Sequence, residues 1–178
     1  MDILAHGLWA GAAAQVLLRR GRPVRIRAAV AWGIAPDLAA FGPLLAVLLV
    51  GLVHGDLTWT QFADPESIAR STRDGHSVFR LTSTLYDLTH SAPIFLTAFA
   101  AAWGWGGAAR WEICTWGLHI LLDVPTHTRH FYPTPFLWPV SRSTVDGVSW
   151  TAPWALAVNY ATLAVVWTWL MRRSGRDG

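Results

Sequence analysis

Residues 113–127 read Ile-Cys-Thr-Trp-Gly-Leu-His-Ile-Leu-Leu-Asp-Val-Pro-Thr-His, an apolar run that ends among ionisable groups. His119, Asp123 and His127 follow one another at intervals of four, and residues four apart on a helix lie on the same face. Ionisable side chains at the end of a membrane-compatible helix are costly, so such groups usually serve a function. The segment therefore predicts a helix that carries a chemical site near one end.

The composition indicates that lipid is the main solvent. Of the 178 residues, 53% are hydrophobic and only 14% are charged, whereas a soluble domain has about a quarter charged residues. The length suits a single domain over 1–178. Eight of the 14 arginines form two local clusters, within 19–27 and 172–176, and no basic face interleaved with aromatic residues is apparent. We therefore expect no nucleic-acid binding.

Five apolar stretches predict an all-α fold, a polytopic membrane helix bundle with about five membrane segments. They are 3–18, 28–54, 88–109, 111–124 and 151–171. Short cytoplasmic loops collect arginine, so both arginine clusters should lie inside. An even number of crossings must then connect them, so 28–54 is either one helix that bends near Pro36 and Asp37 or a short crossing followed by a re-entrant or surface helix. The polar regions 55–87 and 125–150 are predicted to be loops.

This topology brings ionisable groups from distant parts of the chain to the outer side of the membrane. Mixed histidine and carboxylate ligands suit zinc, or manganese and iron where carboxylates dominate. The alternatives are a polar network that ties helix ends together, or simple capping of helices by the aspartates. The candidate metal ligands are Asp2, His6, Asp37, His90, His119 and Asp123.

Two further residues are candidates for catalysis alongside Asp123. His127 follows Pro125, so we expect it beyond the helix end, where it could be a ligand, a general acid or a substrate-binding group. Asp87 could cap the helix that follows it, or could orient His90 as an acceptor behind the metal ligands.

At these residues the sequence resembles the LexA-binding, inner-membrane-associated metal-dependent hydrolase family, and most closely a short subfamily with Phe-Tyr-Pro-Thr-Pro-Phe-Leu-Trp-Pro, here 131–139. The resemblance implies one integral domain in the bacterial inner membrane that binds a divalent metal ion. The matching motifs are His6, Pro36-Asp37, Thr89-His90-Ser91, His119-x3-Asp123 and Leu137-Trp138-Pro139.

The chain departs from the family pattern in two motifs. Ala39 stands where the family commonly has a second Asp, and Leu85 and Tyr86 stand where it has a His and an Arg. Asp87 and His127 could compensate for these missing ligands. Otherwise the site could bind one metal where relatives bind two, or none.

Two hypotheses of different classes follow. In the first, a metal-activated water attacks an ester or phosphoester of a small-molecule or lipid substrate, with membrane lipid as the natural partner because the site lies at the interface. In the second, the same residues form a structural network or bind a partner without catalysis. A third hypothesis, a proton or ion transporter, ranks last. A transporter predicts ionisable groups spread through the membrane depth, whereas this chain clusters them near helix ends.

Overall fold

The computed structural model describes residues 1–56, 58–59, 77–105, 109–129 and 132–174. All the regular secondary structure in these ranges is helical, which confirms the all-α prediction. The helices are α1 (Ile3–Arg19), α2 (Ile26–His54), α3 (Ser77–Thr89), α4 (Ala92–Trp105), α5 (Ala109–Thr126) and α6 (Pro153–Ser174).

Helix α2 lies at the centre of the fold. It contacts α1, α3 and α5, while α4 packs on α5 and α6 packs on α1. Its 29 residues run without interruption through Pro36 and Pro43, so the single segment predicted for 28–54 is one helix. At 1.5 Å per residue this helix is about 43 Å long. One element therefore supplies packing surface to three others.

Two of the described helices are long and apolar enough to cross a membrane: α2 and the Pro153–Arg172 part of α6. Only 28% of the most apolar window of α2, and 11% of that of α6, is buried inside the protein. Ala92–Gly104 in α4 is apolar but shorter. Of the roughly five membrane segments expected, two helices therefore meet the requirement by length and composition.

The prediction that 55–87 is a loop is wrong for its last part, because residues 77–87 belong to α3. Phe79, Thr82 and Tyr86 bury one face of this helix, and Phe79 packs with Leu44 and Leu48 of α2. The exposed positions include Ser77, Ser83 and Thr84, residue types that are common in loops. Tertiary burial of a narrow face therefore overrides weak local preference. The preceding 60–76 lie outside the described residues.

Capping of helices by the aspartates is correct for Asp2 and wrong for Asp37 and Asp87, which lie inside helices. Asp37 lies inside α2 and caps no helix. Asp2 does cap α1, since its Oδ1 accepts a hydrogen bond from the Ala5 amide at 2.9 Å. The cap of α4 is Ser91, whose Oγ accepts from the Ile94 amide at 3.1 Å. His90 therefore occupies the turn between α3 and α4.

The close approach of α1 and α2 depends on Gly33. A Cβ at this position would lie 2.4 Å from the Cβ of Ala10, closer than two carbon atoms can pack. The absence of a side chain lets the two helices touch along their backbones. As a result, His6 of α1 and Asp37 of α2 face each other across this contact, with His6 Nε2 and Asp37 Oδ2 3.9 Å apart.

Candidate metal centre

Five ionisable side chains from four parts of the chain meet inside the helix bundle. α1, α2 and the α3–α4 turn each contribute one, and α5 contributes two. All are at most 8% exposed, although burial of so many ionisable groups is unfavourable unless each is paired or bound to an ion. They are His6, Asp37, His90, His119 and Asp123.

Four of these side chains direct one ligand atom each toward a common point. His90 Nε2 and His119 Nε2 lie 3.0 Å apart. Asp37 Oδ1 lies 3.5 Å from the first nitrogen and 3.6 Å from the second, and Asp123 Oδ2 lies 3.3 and 3.2 Å from them. Tetrahedral ligands about 2.0 Å from a zinc ion would be about 3.3 Å apart. The five separations are close to that value, and all four ligand atoms lie within 4.8 Å of one another, so these side chains could hold one metal ion.

The hydrogen bonds of His119 fix which ring nitrogen carries the proton. Its Nδ1 lies 2.7 Å from the carbonyl oxygen of Gly33 in α2. A carbonyl only accepts, so Nδ1 must donate. When the ring is neutral, Nε2 then carries a lone pair and faces the common point, as a histidine that binds metal requires.

His90 is held in the same way by its neighbours in α3. Its Nδ1 lies 2.9 Å from Thr89 Oγ1 and 3.2 Å from the Tyr86 carbonyl. The Thr89 hydroxyl donates to the Leu85 carbonyl at 2.8 Å, so it accepts from His90. The Nε2 lone pairs of neutral His90 and His119 consequently point at each other across 3.0 Å. That arrangement is repulsive unless a proton or a metal ion lies between them.

Asp123 connects this group to a second set of contacts. Its Oδ2 faces His90 and His119, while its Oδ1 lies 2.9 Å from His6 Nε2 and 3.4 Å from His127 Nε2. The amino group of Met1 also contacts Oδ1 and lies 3.0 Å from His127 Nε2. One carboxylate, fully buried, is therefore surrounded by four imidazoles and an ammonium group.

Two buried polar atoms of the cluster have no hydrogen-bond partner among the described residues: Oδ2 of Asp123 and Nδ1 of His6. A buried carboxylate oxygen without a partner is costly. A divalent ion at the common point would satisfy Asp123 Oδ2 directly. For His6, the unpaired Nδ1 favours the tautomer in which Nε2 donates to Asp123, so that the ring orients the carboxylate.

His127 lies just beyond α5, as predicted from Pro125, but it is firmly held. Its Nδ1 lies 2.9 Å from the Tyr132 carbonyl and 3.2 Å from the Tyr86 hydroxyl. These contacts leave Nε2 directed at Asp123. The ring is only 4% exposed, so His127 is a buried histidine whose orientation is fixed by these contacts.

Asp2 and Asp87 lie apart from the four-atom group. Asp2 caps α1 and accepts a second hydrogen bond from the Tyr160 hydroxyl at 2.8 Å. Asp87 lines a separate pocket of about 260 Å³ together with Arg142. Burial raises the pKa of the Asp87 carboxyl, while the positive charge of Arg142 acts in the opposite direction. The role of Asp2 as a metal ligand and the role of Asp87 in catalysis therefore stay predictions.

Sequence reasoning missed the residues that hold the histidines in place. Thr89, Tyr86 and Gly33 supply the acceptors behind His90 and His119. Two of them act through backbone carbonyls, which carry no sequence signal, and only the Thr89 hydroxyl next to His90 could have been noticed. Among the other histidines, His54 is exposed at the end of α2, and His76 and His130 lie outside the described residues.

No protein-family model matches this chain, and neither the curated proteins nor the solved structures contain a significant match. The resemblance to the inner-membrane hydrolase family therefore stays a prediction that depends on short motifs.

Proposed function

We propose that this protein is a membrane-embedded, metal-dependent hydrolase that binds a divalent ion through Asp37, His90, His119 and Asp123. The single observation that supports it is the pair of opposed Nε2 atoms, 3.0 Å apart, inside a group of four buried ligand atoms that lie within 4.8 Å of one another. Two histidines and two carboxylates favour zinc, with manganese or iron as the alternatives.

A bound divalent ion would lower the pKa of a water molecule and polarise the scissile ester or phosphoester bond. The residues of the chain supply the rest. His127, with Nδ1 held by Tyr132 and Nε2 facing inward, accepts the proton of the attacking water and later donates it to the leaving group. His6 donates to Asp123 and keeps that carboxylate in its binding orientation.

The membrane setting is part of the same proposal. The two apolar helices, joined by the shorter segments 3–18, 88–109 and 111–124, form a multi-pass bundle in the bacterial inner membrane, with the metal centre toward the outer face. The mostly outward-facing apolar surface of α2 and α6 supports contact with lipid. Ionisable groups in such a bundle face its interior and mark functional sites.

The first test measures metal in detergent-purified protein by elemental analysis. We expect one equivalent or more in the wild type and loss of metal in His119→Gln, because the variant lacks an Nε2 lone pair at the common point. The matched control is His54→Gln, which changes an exposed histidine outside the cluster. A well-folded wild-type preparation that holds no metal and rebinds neither zinc nor manganese would overturn the proposal.

A second candidate, a structural network without catalysis, is supported by the contact of the Met1 ammonium with Asp123. A positive charge could stabilise the carboxylate without a metal ion. This alternative predicts that Asp123→Asn unfolds the protein while no hydrolysis of bis(p-nitrophenyl) phosphate or p-nitrophenyl acetate is detected in the wild type. The hydrolase proposal instead predicts that the Asp123→Asn variant folds but has lost both its metal and its turnover.

A further inference from the structure

A groove of about 400 Å³ runs along α2 and ends at the metal centre. Its ionisable lining residues are Met1, Asp2, Asp37 and His127, and most of the remaining wall is formed by α2 residues between Leu38 and Leu48. Its volume is within the range of small-molecule sites, about 300–1,000 Å³. The groove is therefore polar at one end and apolar along its length.

The shape of the groove follows from helical spacing. Residues 37, 41, 44 and 48 lie on one face of α2, so the groove extends for about 16 Å along the helix axis. Its floor includes the buried Leu44 and Leu48, at 5% and 7% exposure, and its rim includes Leu38 and Leu45, at 51% and 46%. The open side therefore lies on the outer surface of α2, a helix that is apolar and long enough to cross a membrane.

We propose that this groove holds one acyl chain of a membrane lipid, with the ester or phosphoester at its head against the metal centre. The inference rests on the proposed hydrolase function and names the substrate class of that site. A linear amphiphile matches a groove that is apolar along its length and carries ionisable groups at one end. A helix from a second copy of the chain would instead press apolar side chains against Asp37 and His127.

Gly42 offers a way to block the groove without disturbing the core. It lines the groove, and a Cβ at this position would meet no atom within 4 Å, so Gly42→Leu places its side chain in the space that the acyl chain would occupy. Gly42 precedes Pro43, but Ala35 precedes Pro36 in the same helix, which shows that α2 accepts a Cβ before proline. The matched control is Ala39→Leu, at an exposed position outside the groove.

The experiment uses full-length protein in detergent and a dodecyl phosphate that carries a diazirine on its terminal carbon. After irradiation, we expect mass spectrometry to find the label on the 44–48 segment of α2, with competition by unlabelled dodecyl phosphate and little by butyl phosphate. Gly42→Leu should reduce this labelling about tenfold, the equivalent of about two methylene groups removed from contact. Ala39→Leu should label like the wild type.

Label spread over the outer surfaces of α2 and α6, or equal loss in Gly42→Leu and Ala39→Leu, would overturn the proposal. If Gly42→Leu does not fold, Leu45→Trp replaces it, with Val50→Trp on the opposite face of α2 as control. Metal content is measured on the same samples. Bound metal with unspecific labelling rejects the acyl-chain groove alone, whereas specific labelling of metal-free protein that rebinds no metal rejects the hydrolase and leaves a lipid-binding groove.

Discussion

Asp123 is the residue on which the cluster depends, because each of its two oxygens faces a different set of partners. Oδ2 completes the four-atom group with His90 and His119, and Oδ1 contacts His6, His127 and the Met1 amino group. The spacing of His119 and Asp123 in the sequence predicted this pair correctly. His127 is also four residues away, but Met1, His6 and His90 are more than 30 positions away and no local pattern identifies them.

The hydroxyl of Thr89 is expected to tune the affinity for metal. It accepts a hydrogen bond from His90 Nδ1, and removing such a partner typically weakens metal binding 10- to 100-fold. We expect Thr89→Val to raise the Kd for zinc about tenfold, at the low end of that range because the Tyr86 carbonyl still contacts Nδ1. Competition with a zinc chelator of known affinity measures the change.

Thr89→Ser is the matched control, since it keeps the hydroxyl and removes only a methyl group. It should bind zinc like the wild type. Equal weakening in the serine and valine variants would show that packing, and not the hydrogen bond, accounts for the effect.

At the scale of the helices, the contact between α1 and α2 determines whether the cluster can form. Gly33 allows this contact because its missing Cβ would collide with Ala10, and its carbonyl also accepts from His119 Nδ1. The apolar stretches in the sequence predicted both helices. Their mutual rotation and separation could not be predicted, because close packing at a glycine depends on the partner surface.

Gly33→Ala is expected to destabilise the fold by about 1–3 kcal/mol, the usual cost of forcing extra atoms into a packed interface. The same change should also weaken metal binding, since it separates His6 from Asp37 and moves the Gly33 carbonyl that accepts from His119. Thermal unfolding in detergent and a zinc titration measure the two effects. Gly104→Ala in α4 is the control, because a Cβ there meets no atom within 4 Å; a similar loss in both variants would contradict the packing argument.

At the scale of the whole molecule, the cluster joins four parts of the chain at one place in the interior. α1, α2, α5 and the α3–α4 turn each supply a side chain to it. A ligand that binds only the folded state stabilises it by about 4 kcal/mol at a concentration 1,000 times its Kd. A metal ion bound by side chains from these four parts of the chain should therefore stabilise the folded helix bundle.

Removal of metal is expected to lower the Tm of the wild type by roughly 10 °C, given about 2–4 °C for each kcal/mol in a chain of this size. Differential scanning fluorimetry with and without a chelator such as 1,10-phenanthroline measures the shift, and added zinc should restore the Tm. His119→Gln should melt at the same temperature with and without the chelator. A wild-type Tm that is the same with and without the chelator would contradict a structural role for the ion.

The sequence by itself determined the helical class, the two longest apolar helices, and the residue types that converge, because hydrophobic periodicity and composition are local properties. It also indicated that His127 lies beyond the helix end, since Pro125 limits continuation of the helix. Only the tertiary structure decided that α3 exists, that Asp37 lies inside α2, and that two imidazole nitrogens oppose each other beside two carboxylates. Those features depend on contacts between residues far apart in the chain, where backbone carbonyls and a missing Cβ position the side chains.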